Sequence, residues 1–266
     1  MTRQAAQPSS PKIKTIALPA QHGGWGFLFE PILLGMFVAA SWAGLGISIA
    51  AFGAFLIHQP LKLTVKDRRK GKRYARTILA ERFVMGYGLL ALIGVILAIL
   101  TAKHDFYLPL LGAIPLGIIQ LMYEFQNDGR SATAEVAGAI AFGAVVAMIA
   151  FAAGWETIPA LMLWLMLAIR AFVSIFYVRS RLRLEKDKPA DIPQTLAIHA
   201  AGLILYILLV LMDHAPWTVI IIGVVLLARA AYGLSDHRKR VSAKVIGFSE
   251  IGYGIFTILM ITVGIP

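Results

Sequence analysis

Polar residues with chemical capacity are few in this sequence and fall into three groups. The first is Gln21-His22-Gly23-Gly24-Trp25, followed inside an apolar run by Glu30-Pro31. A tryptophan after two glycines suits an anchor at a membrane surface, but that leaves Glu30 unexplained. A carboxylate beside a proline within an apolar run calls for a polar cavity, where the backbone interrupted by proline can also be solvated. His22 and Glu30 are therefore candidates for acid–base work. The second group runs from His58-Gln59-Pro60 to Lys70, and His58, Lys62, Lys66 and Lys70 recur every fourth residue. On a helix that continues past Pro60 they form one basic stripe, suited to lipid phosphates or to a phosphate-bearing substrate. The third group is Arg170, Ser174, Tyr177, Arg179, Arg181 and Arg183. Arg170 sits a turn or two inside its apolar run, and its planar fork matches phosphate or carboxylate. Arg181 and Arg183, nearer the end, can also snorkel to head groups.

Other polar positions are Tyr123-Glu124, Asn127-Asp128-Gly129-Arg130, Glu135, His199, Arg229 and Glu250. Glu124 joins His22 and Glu30 as an acid–base candidate. Glu135 and Glu250 are expected to face the interior near the ends of their runs, and His199 to be a hydrogen-bonded packing residue. There is no HExxH, phosphate-cradling glycine loop, GxSxG elbow or Cys/His zinc spacing. Without cysteine the chain has no disulfide and no thiolate metal site.

The elements that must position these groups are apolar spans. A bilayer core about 30 Å thick takes roughly 20 apolar residues per helix. By that measure nine transmembrane helices are predicted, at Trp25–Ser41, Gly44–Leu61, Glu81–Thr101, Phe106–Tyr123, Thr133–Gly154, Thr157–Val178, Gln194–Met212, Pro216–Leu234 and Val245–Ile265. Merging the first two across the short Ser41–Gly44 turn gives eight. Charge favours nine: with the N-terminus inside, the inner segments hold Arg3, Lys12, Lys14, Lys62 through Arg82, Arg130, Arg179–Lys188 and Arg238–Lys244. The outer loops hold Lys103 alone. This is the positive-inside pattern, with the N-terminus cytoplasmic and the C-terminus outside. Residues 1–24 are expected to be a cytoplasmic tail and 25–266 a single helical domain.

Composition excludes an ordinary soluble chain. Hydrophobic residues make up 59% and charged residues 15%, so the net charge of +11 sits in short bursts between apolar runs. That placement points to a bilayer surface and away from nucleic acid.

Two resemblances follow from these residues. Pro19-Ala20-Gln21-His22-Gly23-Gly24-Trp25, with Pro31 and Gly35, resembles the entry motif P-x-E-H-G-x-W of the YwiC-like membrane proteins, with Gln21 in place of the usual Glu. The run Tyr177-Val178-Arg179-x-Arg181-Leu182-Arg183 is similar to that family as well. Nine helices with polar loops after spans two and six also resemble the UbiA-type intramembrane prenyltransferases. So do the glycine–Pro31–Gly35 pattern and the stretch Tyr123, Arg130, Glu135 to Gly143. That likeness implies an all-α, UbiA-like helical bundle acting on a prenyl diphosphate held through Mg²⁺ by two Asp-rich motifs. In this chain His58, Gln59, Lys62 and Lys66 fall on the first motif, and Arg179 and Arg183 on the second. Cations cannot hold Mg²⁺, but they can pair directly with a phosphate.

The expected function is thus binding or processing of a phosphorylated isoprenoid or other anionic lipid, without metal or cofactor. His58, Lys62, Lys66, Arg170, Arg179 and Arg183 would hold the head group. Two alternatives stay open: a small-anion permease using Arg170, Glu30 and Glu250, and a non-catalytic membrane scaffold. The expected partner is membrane lipid, with oligomeric state open. The expected location is the cell membrane, of bacterial plasma type.

Overall fold

Long apolar runs ended by capping residues produce the helices of this chain, seen in a computed structural model that describes residues 13–19, 22–126 and 128–265. Residues 1–12, Gln21 and the side chain of His22 lie outside the described residues, as does Asn127. Helix α1 (Ile13–Ala17) is short. Among the described residues nine longer helices follow: α2 (His22–Val38), α3 (Trp42–Arg69), α4 (Ala75–Thr101), α5 (Leu108–Phe125) and α6 (Ala132–Ala152), then α7 (Thr157–Leu184), α8 (Ile192–Leu211), α9 (Thr218–Leu234) and α10 (Ala243–Gly264). Ser41, Ser131, Asp191 and Ser242 accept hydrogen bonds from orphan amides in the first turns of α3, α6, α8 and α10. Gly71, at φ +65°, provides the left-handed turn between α3 and α4.

Each of the nine apolar segments coincides with one of α2–α10, and the described residues contain no strand. Among the described residues, seven helices are long and apolar enough to cross a membrane, while α2 and α9 are shorter, at 17 residues each. This is a multi-pass helical membrane protein. Helices α3, α4 and α7 run one to two turns beyond the apolar runs. Pro60 does not stop α3, so His58, Lys62 and Lys66 share one helical face. Ion pairs hold the polar extension of α3 to that of α4. Asp67 accepts two hydrogen bonds from Arg76, at 2.7 and 3.0 Å, and one from Thr77. Glu81 receives both Arg68 and Arg73 at 2.7 Å. Hydropathy reads only the apolar part of such a helix, so the expected boundaries fell short.

Two kinds of packing organise the bundle. Helices α3 and α4 cross backbone to backbone. A Cβ on Gly46 would lie 2.7 Å from the main chain of α4, and one on Gly94 2.5 Å from that of α3. Helix α6, rich in alanine and glycine, is the hub: α2, α3, α5 and α7 all pack on it. Helices α8, α9 and α10 extend the assembly from α7, and α10 returns to α2. The α3–α4 pair and the α5–α6 pair meet through α3 and α6. Between the two pairs lies an apolar cleft of about 1110 Å³, lined by Ala54, Val95, Ile114, Gly117, Phe142 and neighbours.

The loops after α3, α5, α7 and α9 gather at one end, here called the basic end. Arg179 donates to the carbonyl of Arg130 at 2.8 Å, and Arg181 donates to that of Lys239. Arg240, on the loop after α9, pairs with Asp187, whose carboxylate raises the guanidinium above its ordinary pKa.

The close crossing predicts the cost of adding volume there. Gly94→Leu should destabilise the protein by about 3 kcal/mol, the upper end of ordinary overpacking, because backbone cannot yield as a side chain can. Gly117→Leu, where an added Cβ meets open space, should cost little. Unfolding in detergent of the two variants and the wild type checks this.

Candidate functional site

Five helices bring charged groups together in the interior. Arg170 on α7 is 2% exposed and reaches Glu30 on α2, with Nη1 to Oε1 at 3.1 Å. Its Nη2 donates to the backbone carbonyl of Glu250 on α10 at 2.9 Å and stands 4.0 Å from that residue's carboxylate. Arg229 on α9 donates to Glu250 Oε1 at 2.6 Å. Its guanidinium lies against the rings of Tyr177 and Tyr253, 4.2 and 4.8 Å from their centroids. This arrangement combines ion pairing with cation–π attraction to both rings. His199 on α8 completes the group. Its Nδ1 lies 2.8 Å from the carbonyl of Thr195, which can only accept, so Nδ1 carries the proton. Nε2, then a lone-pair acceptor, faces Arg229 Nη2 at 3.4 Å.

Sequence position explains this convergence. Glu30, His199 and Glu250 sit about two turns inside their helices from the basic end, Arg229 about one and a half, and Arg170 about four, because α7 runs on past its apolar run at that end. Gly254, one turn after Glu250 on α10, makes room. A Cβ there would collide with the Glu30 carboxylate and come within 3.2 Å of Arg170. Two carboxylates and two guanidiniums leave the group neutral while both acids are ionised. Charge at membrane depth is costly unless so balanced. The balance does not exhaust the donors. Among the described residues, Nε of Arg170, Nε of Arg229 and Oε2 of Glu250 are buried without a hydrogen-bond partner.

A second group lies at the basic end of the cleft. Glu124 on α5 takes His58 Nε2 on one carboxylate oxygen at 2.6 Å and Lys62 Nζ on the other at 2.5 Å. These contacts tie α3 to α5 one turn beyond Ala54 and Gln120, which line the cleft. At the other end of the cleft stand Lys103, His104 and Asp105.

The structure divides the residues picked from the sequence. Glu30 meets Arg170 in the core, and His58 and Lys62 meet Glu124 at the cleft. Lys66 is exposed on the same stripe. Arg179 pairs with Glu135 at 2.9 Å, and Arg183 donates to the carbonyl of Pro189 at 2.6 Å. Arg170 is thus not joined to the lysine stripe, and Arg179 and Arg183 lie on separate contacts. His199 is the hydrogen-bonded packing residue expected, with Arg229 as a neighbour. Glu250 faces the interior, whereas Glu135 is more than a third exposed. Sequence reasoning passed over Tyr253 and Gly254. Their place in Glu250-x-x-Tyr253-Gly254, on the face that carries Glu250, was the available signal.

The sequence model of one family, described as YwiC-like protein, matches residues 18–150, half of the chain, which takes in α2 to α5 and all but the last two residues of α6. No curated protein and no solved structure matches.

The core pairing predicts a non-additive cycle. Arg170→Gln alone should cost about 3–5 kcal/mol, because it strands the carboxylates in the interior. Adding Glu30→Gln should recover part of that loss, since the neutral pair leaves fewer unmatched charges. Equilibrium unfolding of both single variants and the double variant tests the coupling.

Proposed function

This chain belongs to the YwiC-like family, and on that footing we propose that it binds an anionic lipid, with the apolar tail in the α3/α4–α5/α6 cleft. The head group would lie at His58, Lys62 and Lys66. In this reading α2–α10 are nine spans, the basic end is cytoplasmic, and the membrane is a bacterial plasma membrane. The observation that carries it is the cleft itself. Its volume exceeds the roughly 300–1,000 Å³ of ordinary small-molecule sites, and its walls are mainly apolar.

A lipid tail already lies in an apolar solvent, so entering the cleft gains little hydrophobic free energy. Selectivity has to come from the polar end. There the stripe begins with His58 one turn from the cleft lining on α3 and supplies its first lysine, Lys62, about two turns away. Glu124 now occupies His58 and Lys62, so a phosphate would bind by taking over one or both of them. Charge-assisted hydrogen bonds of this kind contribute about 1.5–3 kcal/mol each. A phosphorylated isoprenoid fits the description, as does a phospholipid. Were a bond made or broken, the acid–base pair at that place would be His58 with Glu124, held in direct contact.

Mass spectrometry of lipid retained through purification tests the reading. The wild type should keep an anionic lipid. Gly117→Trp, which projects into the cleft where an added Cβ has free space, should lose it. Lys62→Ala should weaken retention about tenfold or more, and Lys103→Ala at the far end should not. A folded Gly117→Trp variant that keeps its full complement of lipid would overturn the proposal.

A further inference from the structure

From the core group we infer a second site, separate from the cleft: Arg170 and Arg229 bind a small oxyanion, and each anion bound brings in one proton on Glu30. The residues facing one another there are Glu30 from α2, Arg170 and Tyr177 from α7, and His199 and Tyr206 from α8. Arg229 from α9 and Glu250 and Tyr253 from α10 complete the set.

Two observations point to a ligand. The first is donor excess: two unpaired Nε–H groups stand against one unpaired carboxylate oxygen, Oε2 of Glu250. The guanidiniums of Arg170 and Arg229 are buried, yet each keeps an Nε–H without an acceptor among the described residues. Buried donors are almost always satisfied, so two in one group call for an acceptor. Oxyanions match the forked donor geometry of arginine. The second is how unequally the two carboxylates are held. Glu250 is bound by Arg229 at 2.6 Å and approached by Arg170 as well. Among the described residues Glu30 has one ion pair, with Arg170 at 3.1 Å. Glu30 is therefore the acid that can give way.

Charge then sets the stoichiometry. The group is neutral with both acids ionised and His199 neutral. A monoanion entering would make it negative at membrane depth, which is costly. One proton taken from water onto the Glu30 carboxylate restores neutrality. An O–H bond forms on Glu30 as one breaks in hydronium or the buffer acid, the Glu30–Arg170 ion pair is lost, and the freed guanidinium pairs with the incoming oxygen atoms. No other covalent bond changes. His199 is the wrong acceptor for that proton, since a protonated Nε2 would face the guanidinium of Arg229.

The test uses methanesulfonate, whose single negative charge is fixed at ordinary pH, and the full chain in phosphatidylcholine nanodiscs. Calorimetric titration in two cationic buffers of different ionisation heat counts the protons. At pH values where Glu30 is ionised in the free protein, the wild type should take up about one proton per anion and bind about tenfold tighter for each unit of pH lowered, as one linked proton requires. Glu30→Gln, a fixed copy of the protonated state, should bind without proton uptake and with no pH dependence. Added methanesulfonate should also raise its unfolding temperature. Gly117→Trp should leave the heats unchanged, which separates this site from the cleft. Discs containing phosphatidylglycerol distinguish the source: weaker methanesulfonate binding assigns the site to a lipid phosphodiester, and unchanged binding to a free anion. Wild-type binding without proton uptake, or no binding by either protein at tens of millimolar, would overturn the inference. If Glu30→Gln does not fold, the wild-type proton count decides alone.

Discussion

The ion pair between Arg170 and Glu30 joins α7 to α2 and, through Glu250, to α10. Inside a bilayer neither charge can be left alone, because no water is present to take over the lost partner. The pair therefore constrains helices that are remote in sequence to one arrangement. Helix α2, only 17 residues long and broken in composition by Pro31, is held between α6 and α10. Arg229, held against two tyrosine rings, extends the same constraint to α9. Dispersion packing alone would allow these helices to slide by a turn; charge matching at one depth does not.

Elsewhere the bundle relies on close approach. Small residues let α3 and α4 touch along their backbones, and an alanine-rich α6 accepts four neighbours. Such tight pairing has a geometric by-product. Helices α4 and α5 are neighbours in sequence, yet each is drawn toward its own partner, and the space between them becomes the cleft. The cleft is thus the complement of two good interfaces, closed at the basic end by Glu124 with His58 and Lys62.

Much of this was legible in the residues. Apolar runs located the helices, since length and hydropathy are local properties. Charge placement singled out Glu30 and Arg170, because an ionisable group inside an apolar run is conspicuous by itself. What the sequence could not pair was partners. Lys62 and Glu124 lie 62 positions apart, and Arg229 meets a glutamate from the next helix across a turn. The stripe on α3 reads as free cation because its neutralising carboxylate arrives from α5. Helix ends were missed for a related reason: Asp67, Arg76 and Glu81 stabilise polar turns through contacts that no hydropathy window contains. Gly254 stands out from many glycines only by its spacing from Glu250, and its meaning depends on the acid packed above it.

The sideways placement of the cleft has a kinetic meaning. Its walls include Val95 and Ile99 on α4 and Leu110, Ile114 and Ile118 on α5, all of them substantially exposed on an apolar flank. Access on that side is from within the hydrocarbon sheet. A molecule arriving this way diffuses in two dimensions and never has to leave the sheet. Its occupancy would follow its mole fraction among the surrounding lipids, whatever its concentration in water. Dilution of the aqueous phase would leave such a cleft filled, and a change in lipid composition would empty it.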